Sequence, residues 1–217
     1  MVRFDLAHPT LRLGLVLAES VRFEPSSEAL VQELEAAEAR VRADVSAFPE
    51  AVRATMRDVL RVGGYKPTGR GKPASELLLA MAQKEGLPRI GNLVEINNLT
   101  SLESAFPISI FDLELLGSDP RVRFGRADES YVFNHAGHAM ELEGLPVMCR
   151  ASGEPAGNAV RDSMQTKVNA STQRVLVVLW GARSLITELS AASERVASLL
   201  HTHASAPGVE VEFAMPP

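Results

Sequence analysis

The sequence predicts an α+β fold in which helices pack on mixed and antiparallel sheets, as two interlocked lobes of one domain over residues 1–217. Three observations predict it. Segments with apolar residues three and four apart dominate the first half of the chain. Short apolar runs separated by turn residues fill 121–149. A wholly apolar run, Val175–Trp180, has the length and composition of a strand covered on both faces and central in its sheet. The organisation expected is a helix-rich part over 1–64, a core over about 65–181, and a C-terminal helix and strand over 182–217.

Leu11–Leu17 is mostly apolar and reads as the first strand. Ser26-Ser27-Glu28 then offers an N-cap, after which Leu30, Leu34, Ala37 and Val41 keep helical spacing. Pro49 opens a second helix carrying Val52, Met56, Val59 and Leu60, and Gly63-Gly64 stops it. Pro73-Ala74-Ser75-Glu76 opens a third, ended by Gly86. Residues 91–106 read as a fourth helix, with Leu93, Ile96, Leu99, Leu102 and Phe106 on its buried side. Asn97, Ser101 and Ser104 form an uncharged polar stripe opposite. Such amides and hydroxyls suit hydrogen bonding to a compact polar ligand. Pro107 is expected to end this helix, and Ile108-Ser109-Ile110-Phe111, closed by Asp112, reads as a strand. Residues 151–162, rich in Gly, Asn and Pro, read as a loop. Leu185 to Leu200 marks a long amphipathic helix, with His201 and His203 placed to complement its dipole, and Val209–Phe213 a last strand.

The chain is long enough to bury a sizeable core, and 46% hydrophobic with 23% charged residues is an ordinary globular balance. A net charge of −5 argues against a protein that coats DNA or RNA in bulk, while leaving room for a local basic patch. One cysteine, Cys149, excludes an internal disulfide framework and fits a reducing compartment. With no apolar run of membrane-spanning length and no signal-peptide core, a soluble cytoplasmic protein is expected, and no membrane partner.

Two blocks carry a resemblance. Val94-Glu95-Ile96-Asn97-Asn98 with Pro107-Ile108-Ser109-Ile110-Phe111-Asp112 is the first, and Gly157-Asn158-Ala159-Val160-Arg161-Asp162-Ser163-Met164-Gln165-Thr166 is the second. Between them, Arg123-x-Gly125 followed by Asp128-Glu129 fits a strand and acidic turn. Each piece alone is a weak signal, but their order and spacing must agree together. The set resembles the B3/B4 domain of the phenylalanyl-tRNA synthetase β subunit, and more closely the free-standing B3/B4-domain proteins. That resemblance implies a tRNA-associated module that binds the aminoacyl end of tRNA and hydrolyses a misattached amino acid in trans. It implies Asp162 and Ser109 as catalytic residues, with Asn97, Asn98, Ser101, Ser163 and Thr166 contacting the ligand. It implies no cofactor.

The chain also departs from the synthetase pattern. Pro107-Ile108-Ser109 stands where the synthetase pattern has Pro-Leu-His, so Ser109 replaces the histidine, and the glutamate expected around Leu179-Trp180 is absent. A buried polar group matched to a hydroxyl discriminates strongly, so selectivity for tyrosine is not expected here. The departures keep a second reading open, a non-catalytic module for an amino acid or similar small polar ligand. Read chemically, Asp162 with Ser163, Thr166 and Thr172 gives a carboxylate among hydroxyls, able to orient water or grip an ammonium. The same residues equally suit the plain task of satisfying turn amides.

Arg61–Lys72 holds Arg61, Lys66, Arg70 and Lys72 without an acidic residue. With Tyr65 available to stack, Tyr65, Lys66, Arg70 and Lys72 are candidates for holding an RNA backbone or terminal base, although the stretch equally suits a solvated connector. It is not a phosphate-binding P-loop, since Pro73 follows Lys72. His135, His138 and Glu141 fall in an expected hairpin around Gly137 rather than on one helix face, and no metal site is assigned to them.

Overall fold

The computed structural model describes residues 2–217. Two four-stranded sheets organise it. The first has the order β10-β2-β9-β3, all neighbours antiparallel, from β2 (Leu11–Glu19), β3 (Ile108–Asp112), β9 (Arg174–Ala182) and β10 (Val209–Ala214). The second has the order β1-β4-β7-β8, from β1 (Arg3–Phe4), β4 (Arg121–Phe124), β7 (Pro146–Cys149) and β8 (Pro155–Asn158). Its β1 pairs parallel to β4 and the other neighbours run antiparallel, so the expected mixed and antiparallel pairing is present. A hairpin of β5 (Ser130–Val132) and β6 (Ala139–Glu141) stands beside it.

Alternation divides the first sheet's residues between its faces. Gly14, Val16, Val177 and Gly181 share one face, and α6 (Ile186–His203) lies on it. The two glycines make that approach close. A β-carbon on Gly14 would collide with the Ser193 hydroxyl, and one on Gly181 would come within 2.9 Å of Leu189. Leu13, Leu15, Val178, Trp180, Ser109 and Phe111 share the other face, which meets the second sheet along its β3 edge.

The remaining helices form a layer around α4 (Asn92–Ser104), which contacts α1 (Glu28–Ala43), α3 (Ala74–Lys84), α6 and β3. Ser27 caps α1 as its sequence predicts, accepting from the Leu30 amide at 3.3 Å. α2 (Glu50–Arg61) turns Val52, Met56, Val59 and Leu60 inward, and Arg57 pairs with Glu76 of α3.

The structure corrects the sequence reading in four places. Residues 155–158 form β8 rather than loop, with Val147 opposite Asn158 and Met148 opposite Gly157. α4 is not amphipathic: Asn92, Glu95, Asn98, Thr100 and Ser101 are buried alongside its leucines, because neighbours cover it on several sides. It ends at Ser104 through a left-handed Ala105, before Pro107 is reached. The short α5 (Leu113–Leu116) follows β3 unpredicted, capped by Asp112, whose carboxylate accepts from the amides of Glu114 and Leu115 at 2.9 and 3.2 Å. Among the described residues, no helix is long and apolar enough to cross a membrane.

The glycine saddle under α6 makes a specific expectation. Gly14→Ala forces the helix off the sheet and should lower stability by about 1–3 kcal/mol, the usual range for overpacking a core, read as a fall in the denaturation midpoint.

Candidate functional site

The site forms where β3 and β9 of the first sheet meet the turn after β8. Ser109 lies on β3 opposite Val178, and Trp180 follows two residues along β9 on the same face, a diagonal neighbour. The indole N–H of Trp180 donates to Ser109 Oγ at 3.0 Å, and the Ser109 hydroxyl donates to Asp162 Oδ1 at 2.7 Å. Trp180 and Ser109 are each 1% exposed. Two positions that depart from the synthetase pattern, Ser109 and the end of the apolar strand, thus meet in one hydrogen-bonded chain ending on the candidate carboxylate.

The turn bearing Asp162 is built tightly. Asn158 Oδ1 accepts from the amides of Val160 and Arg161 at 2.7 and 3.1 Å, holding the reversal, and Asn158 Nδ2 donates to the Tyr131 hydroxyl at 2.6 Å. The Tyr131 hydroxyl in turn donates to the Arg161 carbonyl at 2.5 Å. Gly157 bridges to Asp162, and a β-carbon on it would collide with Oδ1 and lie 2.6 Å from the Phe111 ring. Only glycine fits that approach.

The other predicted site residues are accounted for individually. Asn97 Nδ2 donates to the Ile108 carbonyl at 3.2 Å, which puts Asn97 one residue from Ser109, while its Oδ1 is buried without a partner. Asn98 is buried within the helical layer. The Ser101 hydroxyl donates to the Phe106 carbonyl at 2.7 Å, closing the α4–β3 corner. Ser163 Oγ accepts from the Gln165 amide at 3.2 Å, and Thr166 Oγ1 donates to the Ala156 carbonyl at 3.2 Å, so both fasten the turn. Thr172 is not beside Asp162; it donates to Asp112 Oδ2 at 2.6 Å. Arg123 grips Glu129 through two hydrogen bonds, of 2.8 and 2.5 Å, and donates to the Gly153 carbonyl at 2.9 Å, an internal clamp of the second sheet.

The basic loop adjoins this turn. The Ala74 amide, at the start of α3, donates to the Ala159 carbonyl at 2.9 Å, docking the loop's end onto the segment that carries Asp162. Tyr65 is half-buried and its hydroxyl donates to the Gly71 carbonyl at 3.1 Å, so its ring braces the loop. Lys66 and Arg70 are exposed, and Lys72 is partly so. The sequence reading missed Trp180, Asn158, Tyr131, Arg161 and Lys167 as members of the cluster. Asn158 and Arg161 lie inside the second resemblance block, and Trp180 is the chain's one tryptophan, but Tyr131 and Lys167 carry no sequence signal.

Electrostatics single out the carboxylate. Although part of Asp162 reaches the surface, its carboxyl is packed among protein atoms, and desolvation pushes its pKa up to about 7. The Ser109 hydrogen bond opposes that rise most, followed by the charge of Lys167, a hydrogen bond from the Asn158 backbone amide and the charge of Arg161. Desolvation in the same place lowers the pKa of Lys167 and of Arg161, and raises that of Tyr131. Lys167 Nζ donates to the Phe133 carbonyl at 2.8 Å, and the Arg161 guanidinium lies 5.5 Å from the Phe133 ring centre. A carboxyl poised near neutrality, flanked by two cations, can take up or release a proton at physiological pH.

A 540 Å³ cavity also lies against this sheet, toward β10, over Leu15 and Leu176 with Glu114, Glu210, Glu212 and Arg174 about it. None of the Asp162 cluster lines it. Among the described residues, no group of three or more His, Cys, Asp or Glu side chains is placed to hold a metal ion. His138 instead bonds Asn134, its Nδ1 2.9 Å from Asn134 Nδ2.

The fold and the cluster define an α+β domain with a desolvated carboxyl at the junction of two sheets. The chain belongs to the B3/4 domain family, whose model matches residues 64–205, more than half of its length. No curated protein sequence matches the chain. Among solved structures it is similar to an N-terminal fragment of the phenylalanyl-tRNA synthetase β-subunit from Pyrococcus horikoshii, at 12% identity and a TM-score of 0.45. That match covers 55% of this chain, which spans 40% of the fragment.

Two outcomes follow from the site. Gly157→Ala should disrupt the Asp162 turn and lower stability by about 1–3 kcal/mol, read in denaturant melts. Asp162 binds its proton more tightly folded than unfolded, so its contribution to stability falls as pH rises from about 4 to 7 and levels off above. Asp162→Asn removes that penalty. It should therefore melt above wild type at pH 8, by on the order of 5 °C, with the gap closing toward pH 4.

Proposed function

We propose that this chain is a free-standing tRNA-associated module that binds the aminoacyl end of tRNA and hydrolyses a misacylated ester in trans. Family membership supports the association with tRNA, and the poised carboxyl of Asp162 carries the hydrolytic reading. In this reading the ionised Asp162 takes a proton from water through Oδ2 as the water attacks the ester carbonyl. Protonated Asp162 then delivers that proton to the leaving ribose oxygen. Lys167 and Arg161 supply positive charge for the developing oxyanion, in a setting where burial strengthens such interactions. Ser109 holds Oδ1 and leaves Oδ2 for the chemistry. In this reading the Tyr65–Lys72 loop, docked on the same turn and carrying Lys66, Arg70 and Lys72, meets the tRNA backbone.

Incubation with a panel of mischarged tRNAs should release one amino acid above the buffer rate. Asp162→Asn should slow that release by about a hundredfold or more, with the fold retained. Binding of an amino acid without ester cleavage would replace this reading with a non-catalytic pocket. Arg70→Ala with Lys72→Ala should weaken tRNA binding and flatten its dependence on salt, because phosphate contacts release counterions.

A further inference from the structure

We propose that Trp180 is a positioning residue for Asp162: acting through the Ser109 hydroxyl, its indole N–H holds Oδ1 as an acceptor and so assigns the acid proton of Asp162 to Oδ2. The inference rests on the reading of Asp162 as the titrating group of the site, and it deepens that reading. Its basis is the direction of each hydrogen bond. An indole N–H can only donate, so Ser109 Oγ must accept from Trp180. The one remaining Ser109 proton then goes to an acceptor. Asp162 Oδ1 lies at 2.7 Å, whereas the alternative, the Asn158 carbonyl, is 3.5 Å away. The hydroxyl therefore points at Oδ1 whether or not Asp162 is protonated, and the acid proton is left to Oδ2.

Apart from the Asn158 backbone amide, which also hydrogen-bonds the Asp162 carboxylate, the neighbouring donors are turned elsewhere. The Tyr131 hydroxyl is turned to the Arg161 carbonyl, the Arg161 guanidinium donates to the Val160 carbonyl at 2.7 Å, and Lys167 Nζ donates to the Phe133 carbonyl. Gly157 and Phe111 close over the Oδ1 side. Because each donor polarises the next, the indole makes Ser109 a better donor to the carboxylate and helps hold the Asp162 pKa down against desolvation. Trp180 is the sole tryptophan, so indole emission comes from this position alone.

The experiment needs no RNA. Emission of the wild-type protein is followed from pH 5 to 9, alongside the carboxyl carbon-13 resonance of Asp162. A sigmoidal emission change should match the carboxyl midpoint, vanish in Asp162→Asn, and shrink several-fold in Ser109→Ala, which keeps the indole and cuts the relay. In Trp180→Phe the carboxyl midpoint should rise by about half a pH unit or more, from loss of the polarised hydrogen bond. In Ser109→Ala, which loses that bond outright, it should rise at least as far. Emission that stays flat while the carboxyl titrates overturns the inference. So does a transition that survives in Asp162→Asn, which would belong to a histidine, or an unmoved midpoint in Trp180→Phe or Ser109→Ala. Failure of ester hydrolysis with the relay intact would remove the proposed enzyme activity and leave this inference standing.

Discussion

The approach of the β8 turn to strand β3 is the constraint on which the site depends. It is possible only because position 157 has no side chain: any β-carbon would enter the space of Asp162 Oδ1 and the Phe111 ring. That approach brings a carboxyl under the second sheet onto a hydroxyl of the first, across 53 residues of chain. It also removes the carboxyl from water, which is the largest cause of its raised pKa. Geometry and electrostatics at this point therefore have one origin. The tightness that excludes solvent also puts Ser109 within bonding distance.

The helical layer supports the junction from the other direction. α4 leads into β3, and its polar residues fix that corner: Ser101 bonds the Phe106 carbonyl, and Asn97 bonds the Ile108 carbonyl on the edge strand. Burying such groups is tolerable when their hydrogen bonds are made internally. Asn92 shows the same economy at the helix start, donating to the Arg22 and His203 carbonyls at 2.8 and 2.9 Å. α6, seated on the Gly14–Gly181 saddle, covers the opposite face of β2 and β9, and β9 is the strand with which Ser109's strand pairs.

Much of the cluster restricts Asp162. Asn158, Ser163 and Thr166 all hold the turn's backbone, and Tyr131 is locked between Asn158 and Arg161. Ser109 engages Oδ1, and the charges of Lys167 and Arg161 act on the same carboxyl. A group restrained to one geometry loses little freedom when it acts, which is the physical content of preorganisation.

Periodicity alone located the main helices and the strands β2, β3, β9 and β10, because burial of one face repeats at 3.6 or 2 residues whatever the partner. Capping by Ser27 was equally local, set by bonds within a few residues. The sequence also marked Ser109 and Asp162 through the two resemblance blocks. It did not show that Asn97, Ser101 and Ser104 lie on a covered helix, since an amide satisfied by a distant carbonyl and one facing a ligand have the same local pattern. Nor did it mark β8, where Pro155 and Gly157 read as turn residues until β7 supplies the pairing. The relay from Trp180 through Ser109 to Asp162 spans three separate segments, as do the contacts of Tyr131 and Lys167. Those distances and the shared desolvation exist only once the sheets pack, so tertiary structure alone decided which carboxyl titrates near neutral pH.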